Sequence, residues 1–123
     1  MSNPLAFVFE DDQKQASIFK LALDLADFEV ESITDGAVAL ERLGMITPSL
    51  VVLDLHLPQA SGTQIFQYIQ AESRLHETKV IVATADPLRA EHLRAKADLV
   101  LIKPVSFDQL SELAARLRPV DPA

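Results

Sequence analysis

The 123-residue chain has no cysteine and a formal charge of −7. This excludes a disulfide framework and a thiolate metal site, and it argues against a nucleic-acid surface, which needs clustered Lys and Arg. With 49% apolar and 24% charged residues, the composition is that of one globular domain rather than a disordered segment.

No apolar run approaches the ~18 residues of a membrane span. The early run "LAFVF" is too short for a signal sequence, follows no basic residue and ends in three acids. A soluble cytoplasmic protein is the expectation. From that run (5–9) onward, short apolar stretches alternate with helical patterns five times. Ile18, Leu21, Ala22 and Leu25 recur at helical spacing and predict a first helix that buries this stripe. "FEVESI" (28–33) has polar residues at every second position, as an edge strand does. A second helix falls around residues 36–44. "SLVVLD" (49–54) is apolar up to its closing aspartate, and Ile65, Phe66 and Ile69 mark the third helix. "KVIVAT" (79–84) and "LVLI" (99–102) are again continuously apolar, with a short helix around 88–96 between them. The last helix carries Leu110, Leu113, Ala114 and Leu117. Ser106 and Gln109 have the spacing of a capping box at its start, and Pro119 and Pro122 close it.

Four continuously apolar runs suit parallel strands covered on both faces. A (βα)5 alternation therefore predicts an α/β fold with a doubly wound parallel five-stranded sheet. Ligands of such sheets bind beyond the carboxyl ends of the strands. Glu10, Asp11 and Asp12 follow the first run, Asp54 ends the third, Thr84 ends the fourth, and Lys103 with Pro104 follows the fifth. Each has a plain structural explanation. Asp12 can cap a helix, Asp54 can cap a loop, Thr84 is a good strand former, and Lys103 can be a surface charge. Their joint placement at the ends of four strands is harder to explain that way. Two carboxylates about 4 Å apart repel by roughly 4 kcal/mol at an effective dielectric of about 20. One lysine cannot neutralise three or four of them, so the pocket must take up protons or bind a cation, and an all-oxygen donor set suits Mg²⁺. A carboxylate beside Mg²⁺ and a lysine is suited to phosphoryl chemistry, in which aspartate can act as the nucleophile.

"FVFEDD", "LDLHLPQASG", "VIVATA" and "LIKPV", in this order, resemble the four motifs of the receiver domain of two-component response regulators. The resemblance covers essentially the whole chain: a receiver over 1–119, with 120–123 as a tail or the start of a linker. It implies the flavodoxin-like strand order 2-1-3-4-5. It also implies a phosphoacceptor at Asp54 and Mg²⁺ held by Glu10, Asp11, Asp54 and the backbone carbonyl of His56. Thr84 would bind a phosphoryl oxygen, Lys103 would pair with the acyl phosphate, and the bond before Pro104 would be cis. The implied partners are a sensor histidine kinase or phosphotransfer protein and a downstream protein target. No direct nucleic-acid or membrane contact is implied, and a homodimer is left open. Such a domain is not an enzyme beyond its own phosphorylation and dephosphorylation.

The sequence departs from this pattern in three places. Val100 stands where the family typically has an aromatic residue, the stretch from Thr84 to Lys103 has lost nearly a helical turn, and Lys96 replaces a common glycine. A receiver-like interaction module that works without phosphorylation is therefore the principal rival. A haloacid dehalogenase-type phosphatase would need a second aspartate where His56 stands, and "EDDQKQ" would repel the phosphate of a flavin nucleotide. His56 and Asp86, two positions after Asp54 and Thr84, are candidates to pair across the pocket entrance. The alternative is that they are separate rim residues.

Overall fold

A computed structural model describes residues 3–119, so the expected tail at 120–123, including Pro122, lies outside the described residues. Strands β1 (Leu5–Phe9), β2 (Glu29–Ile33), β3 (Leu50–Asp54), β4 (Lys79–Thr84) and β5 (Leu99–Ile102) alternate with helices α1 (Gln13–Leu25), α2 (Gly36–Met45), α3 (Gly62–Ala71), α4 (Pro87–Leu93) and α5 (Phe107–Leu117). All neighbouring strands pair in parallel, in the order β2-β1-β3-β4-β5. This is the predicted doubly wound sheet, with β2 at an edge.

Side chains alternate across the strands, and both faces are buried. Ala6, Val8, Leu50, Val52, Ile81 and Ala83 meet α1 and α5 in one core. Phe7, Phe9, Val51, Leu53, Val80 and Val82 meet α2 and α3 in the other. This double burial is why the central strands read as uninterrupted apolar runs. At the edge, Glu31 of β2 accepts two hydrogen bonds from the Arg42 guanidinium of α2, both at 2.7 Å.

The face of α1 differs from expectation. Ile18, Leu21 and Leu25 are 43%, 57% and 67% exposed, whereas Ala16, Phe19, Ala22 and Leu23 are buried. The helix has two apolar stripes that share Ala22. The buried one combines small alanines, which let the helix sit close to the sheet, with Phe19 and Leu23, which fill the remaining space. On α5, Leu110 and Ala114 are buried, and Leu113 and Leu117 pack at the margin as expected. Only half of the Ser106 capping box forms: the Gln109 backbone N–H donates to Ser106 Oγ at 3.2 Å. The full box is at Ser61 and Gln64, at the start of α3.

Two glycines set the packing around the carboxyl edge. A Cβ on Gly62 would collide with the Asp54 carbonyl oxygen and Leu55 Cα, and one on Gly36 would collide with the Ala60 carbonyl. Glycine at these positions lets α3 and α2 start directly against the segment that carries Asp54. Lys96 needs no glycine-like backbone, because the non-glycine residues with positive φ are Asp27 and Gln59. The helix before it, α4, is the short one anticipated between β4 and β5.

Candidate functional site

The strand register brings the polar ends of β1, β3 and β4 together, since Phe9 pairs with Leu53 and Asp54 with Ala83. Glu10, the residue after β1, is 1% exposed, with its backbone N–H bound to the Ile33 carbonyl at 3.1 Å. Its side chain accepts from Lys103 Nζ at 2.9 Å and from the Asp12 backbone N–H at 3.3 Å. Lys103 Nζ is also 3.4 Å from Asp54 Oδ1, which accepts the His56 backbone N–H at 3.1 Å. Lys103 is held by its own N–H to the Thr84 carbonyl at 2.9 Å, and its bond to Pro104 is cis, as the resemblance implied.

Asp11 is exposed, unlike Glu10 and Asp54, yet all three can offer an oxygen within 4.8 Å of one another. Burial, reinforced by the adjacent Asp54 carboxylate and only partly offset by Lys103, raises the Glu10 carboxyl from 4.5 to about 7. Burial alone would lower Lys103. Its hydrogen bond to Glu10 and the charge of Asp54 outweigh that effect and raise it instead. One cation thus serves two buried carboxylates, and the pocket carries excess negative charge. An all-oxygen donor set with uncompensated charge fits Mg²⁺.

Asp12 stands apart from this pocket. Its carboxylate caps α1, accepting the Lys14 and Gln15 backbone N–H groups at 2.9 and 3.1 Å. Thr84 is fully buried at the end of β4, and its Oγ1 accepts the Asp86 backbone N–H at 3.0 Å. Of the two arrangements open for His56 and Asp86, the pair does not form among the described residues. The Asp86 carboxylate is engaged as the N-cap of α4, with Oδ2 3.9 Å from Arg89 Nε, and His56 is exposed. An aspartate followed by proline at a helix start is a readable N-cap signal, and it accounts for Asp86 better than a pairing with His56 does.

An open parallel sheet in this strand order, with an acidic pocket and a lysine at its carboxyl edge, defines the flavodoxin-like α/β class. Residues 6–115 match the family described as the response regulator receiver domain, and the chain belongs to that family. It is 36% identical to the transcriptional regulatory protein CutR of Streptomyces coelicolor, over 90% of this chain and 50% of that one. It is 31% identical to the transcriptional regulatory protein PrrA of Mycobacterium leprae, over 96% of this chain and 50% of that one. The chain thus spans about half the length of these relatives. The receiver domain of Francisella response regulator 1452 superposes with a TM-score of 0.82 at 25% identity, covering 94% of this chain and 96% of that one.

Proposed function

We propose that Asp54 accepts a phosphoryl group from a phosphohistidine on a sensor kinase or phosphotransfer protein, and that the domain signals through the resulting change in the pocket. The observation that carries this reading is a buried carboxylate pair, Glu10 and Asp54, sharing a single lysine next to Asp11. Glu10, Asp11, Asp54 and the His56 carbonyl would hold Mg²⁺. The ion supplies charge neutralisation for the transferring phosphoryl group.

In the transfer, the P–N bond of the donor breaks and a P–O bond forms to an Asp54 carboxylate oxygen. The donor imidazole leaves neutral, its second nitrogen carrying a proton. Lys103 pairs with the acyl phosphate, and the Thr84 hydroxyl donates to a phosphoryl oxygen. Hydrolysis reverses the modification, so the domain catalyses only its own phosphorylation and dephosphorylation. In this reading the receiver spans 1–119, works in the cytoplasm and passes its signal to a protein target. Among the described residues no helix is long and apolar enough to cross a membrane.

Val100, half-buried against the core, and the seven-residue α4 favour a second reading, an interaction module that needs no phosphorylation. Incubation with acetyl phosphate and Mg²⁺, followed by intact-protein mass spectrometry, separates the two. The expected result is a labile adduct that Asp54→Asn abolishes. No wild-type adduct with several donors would favour the interaction-module reading, and an adduct that survives in Asp54→Asn would overturn Asp54 as the acceptor.

A further inference from the structure

We propose that the cleft at the amino-terminal edge of the sheet, between the end of α3 and the turn leading into β5, binds a small monocarboxylate carried on an apolar stem. Lys96 is the charge that selects it. The site lies at the opposite end of the strands from Asp54 and is independent of the phosphoryl-acceptor reading.

The cleft has a volume of about 250 Å³. Phe66 and Ile69 of α3, Leu75 of the 3₁₀ turn Ser73–Leu75 and Val80 of β4 form its floor, and all four are buried in one core. His76 and Lys96 stand exposed at its rim. An apolar cavity of about 150 Å³ takes up one benzene ring. The space here therefore suits one ring, or an aliphatic chain of similar bulk, with a short arm that reaches the rim.

The charge at the rim follows from how the turn is built. The backbone N–H groups of Lys96 and Ala97 both donate to the Leu93 carbonyl, at 3.0 and 2.9 Å, and close the end of α4. Asp98 then clips the turn to β4. Its N–H donates to the Val80 carbonyl at 3.1 Å, and its Oδ2 accepts the Val80 N–H at 2.7 Å. Its Oδ1 is 3.9 Å from Lys79 Nζ. Both oxygens of the one carboxylate that lines the cleft are thus engaged. Lys96 has no ion-pair partner among the described residues, although its backbone is fixed beside an apolar floor.

A carboxylate seated at this rim gains a charge-assisted hydrogen bond from Lys96, while its stem removes apolar surface from water. One uncompensated cation matches a monoanion. A phosphate dianion would bring a second charge close to Asp98 with nothing to offset it. A glycine, common in the family at position 96, supplies no charge, so the site is a feature of this chain rather than of the machinery its relatives share.

The test is an NMR titration of the isotope-labelled chain with hydrocinnamate, read from backbone amide shifts. Saturable shifts are expected at Ile69, Leu75, Val80 and Lys96. Hydrocinnamyl alcohol keeps the stem without the charge, and acetate keeps the charge without the stem. The alcohol is expected to bind about fivefold more weakly than the acid, the upper range for an exposed ion pair, and acetate to give no saturable shift at these residues. Lys96→Gln, a change at an exposed position that the fold does not depend on, is expected to bind acid and alcohol equally, both as weakly as the wild type binds the alcohol. An acid that causes no saturable shift at the cleft, or shifts only around Lys103 at the carboxyl edge, overturns the proposal. Saturation by acetate, equal wild-type affinity for acid and alcohol, or undiminished affinity for the acid in Lys96→Gln overturns it as well.

Discussion

At one side of the sheet's carboxyl edge, Glu10, Asp54 and Lys103 are fixed by strand register, by mutual hydrogen bonds and by glycine-tight packing of α2 and α3. At the other side, α4 hangs from the Asp86 cap and buries a single alanine, and the last residue of β5, Ile102, is 40% exposed. The first region carries the groups that chemistry needs held still. The second is held by less buried surface, with α4 only seven residues long. The departures from the family pattern, Val100 and the short helix, fall in the second region alone. In the phosphoryl-acceptor reading, the groups for chemistry and those for readout would lie in these two separate regions.

The strongest challenge to that contrast is to perturb both regions by one methyl group. Gly62→Ala forces a Cβ into the backbone of Asp54 and Leu55, and about 3 kcal/mol of stability is expected to be lost. Ala90→Gly removes a buried methyl from α4 and adds backbone freedom, at a cost of about 1 kcal/mol. Urea unfolding measures both, and equal losses would show the two sides to be equally tight.

A pH titration of the metal-free protein probes the tight side alone. The folded-state pKa of Glu10, about 7, lies above its ordinary 4.5, so between these values the folded chain binds more protons than the unfolded one. The resulting stability is fully present below pH 4.5 and is lost as pH rises through 7. On the order of 2 kcal/mol is at stake, because each tenfold gain in proton affinity on folding corresponds to about 1.4 kcal/mol and the neighbouring charges share the titration. Glu10→Gln is expected to flatten the curve, as is saturating Mg²⁺. A wild-type curve that rises from pH 5 to 7 would contradict an acid-stabilised pocket.

The smallest effect belongs to Asp11. Neutralising it in Asp11→Asn relieves repulsion from Glu10 and Asp54, and a gain of a few tenths of a kcal/mol is expected for so exposed a group. Thermal melts without metal test the sign. A clear loss would mean that Asp11 makes a structural contact.

Much of this architecture is legible in the chain itself. Strands β1, β3, β4 and β5 lie within a residue of their apolar runs, because burial on both faces leaves no polar interruption. The edge strand β2 is legible from its alternation, although Phe28 belongs to the core rather than to the strand. The face of α1 is not legible: Ile18, Leu21 and Leu25 have the same periodicity as the stripe that is buried, and only the shape of the sheet chooses between them. In the pocket, residue types at strand ends point to Glu10, Asp54, Thr84 and Lys103. The contact between Glu10 and Lys103 spans 93 positions and depends on which strands become neighbours. For Asp86, spacing from Thr84 suggests a partner for His56, yet the proline that follows it is the better guide, because it marks the start of a helix.

The acidic edge of β2 has a consequence for crowding. A sheet edge is a template onto which another chain's strand can zip. Here any incoming strand would lie beside Glu29 and Glu31, and Glu31 is already bound to Arg42 through both carboxylate oxygens. Adding a strand would strip water from one carboxylate and disturb a fitted ion pair at the other, for a gain of a few backbone hydrogen bonds. On that side the charged edge disfavours the addition of a further strand.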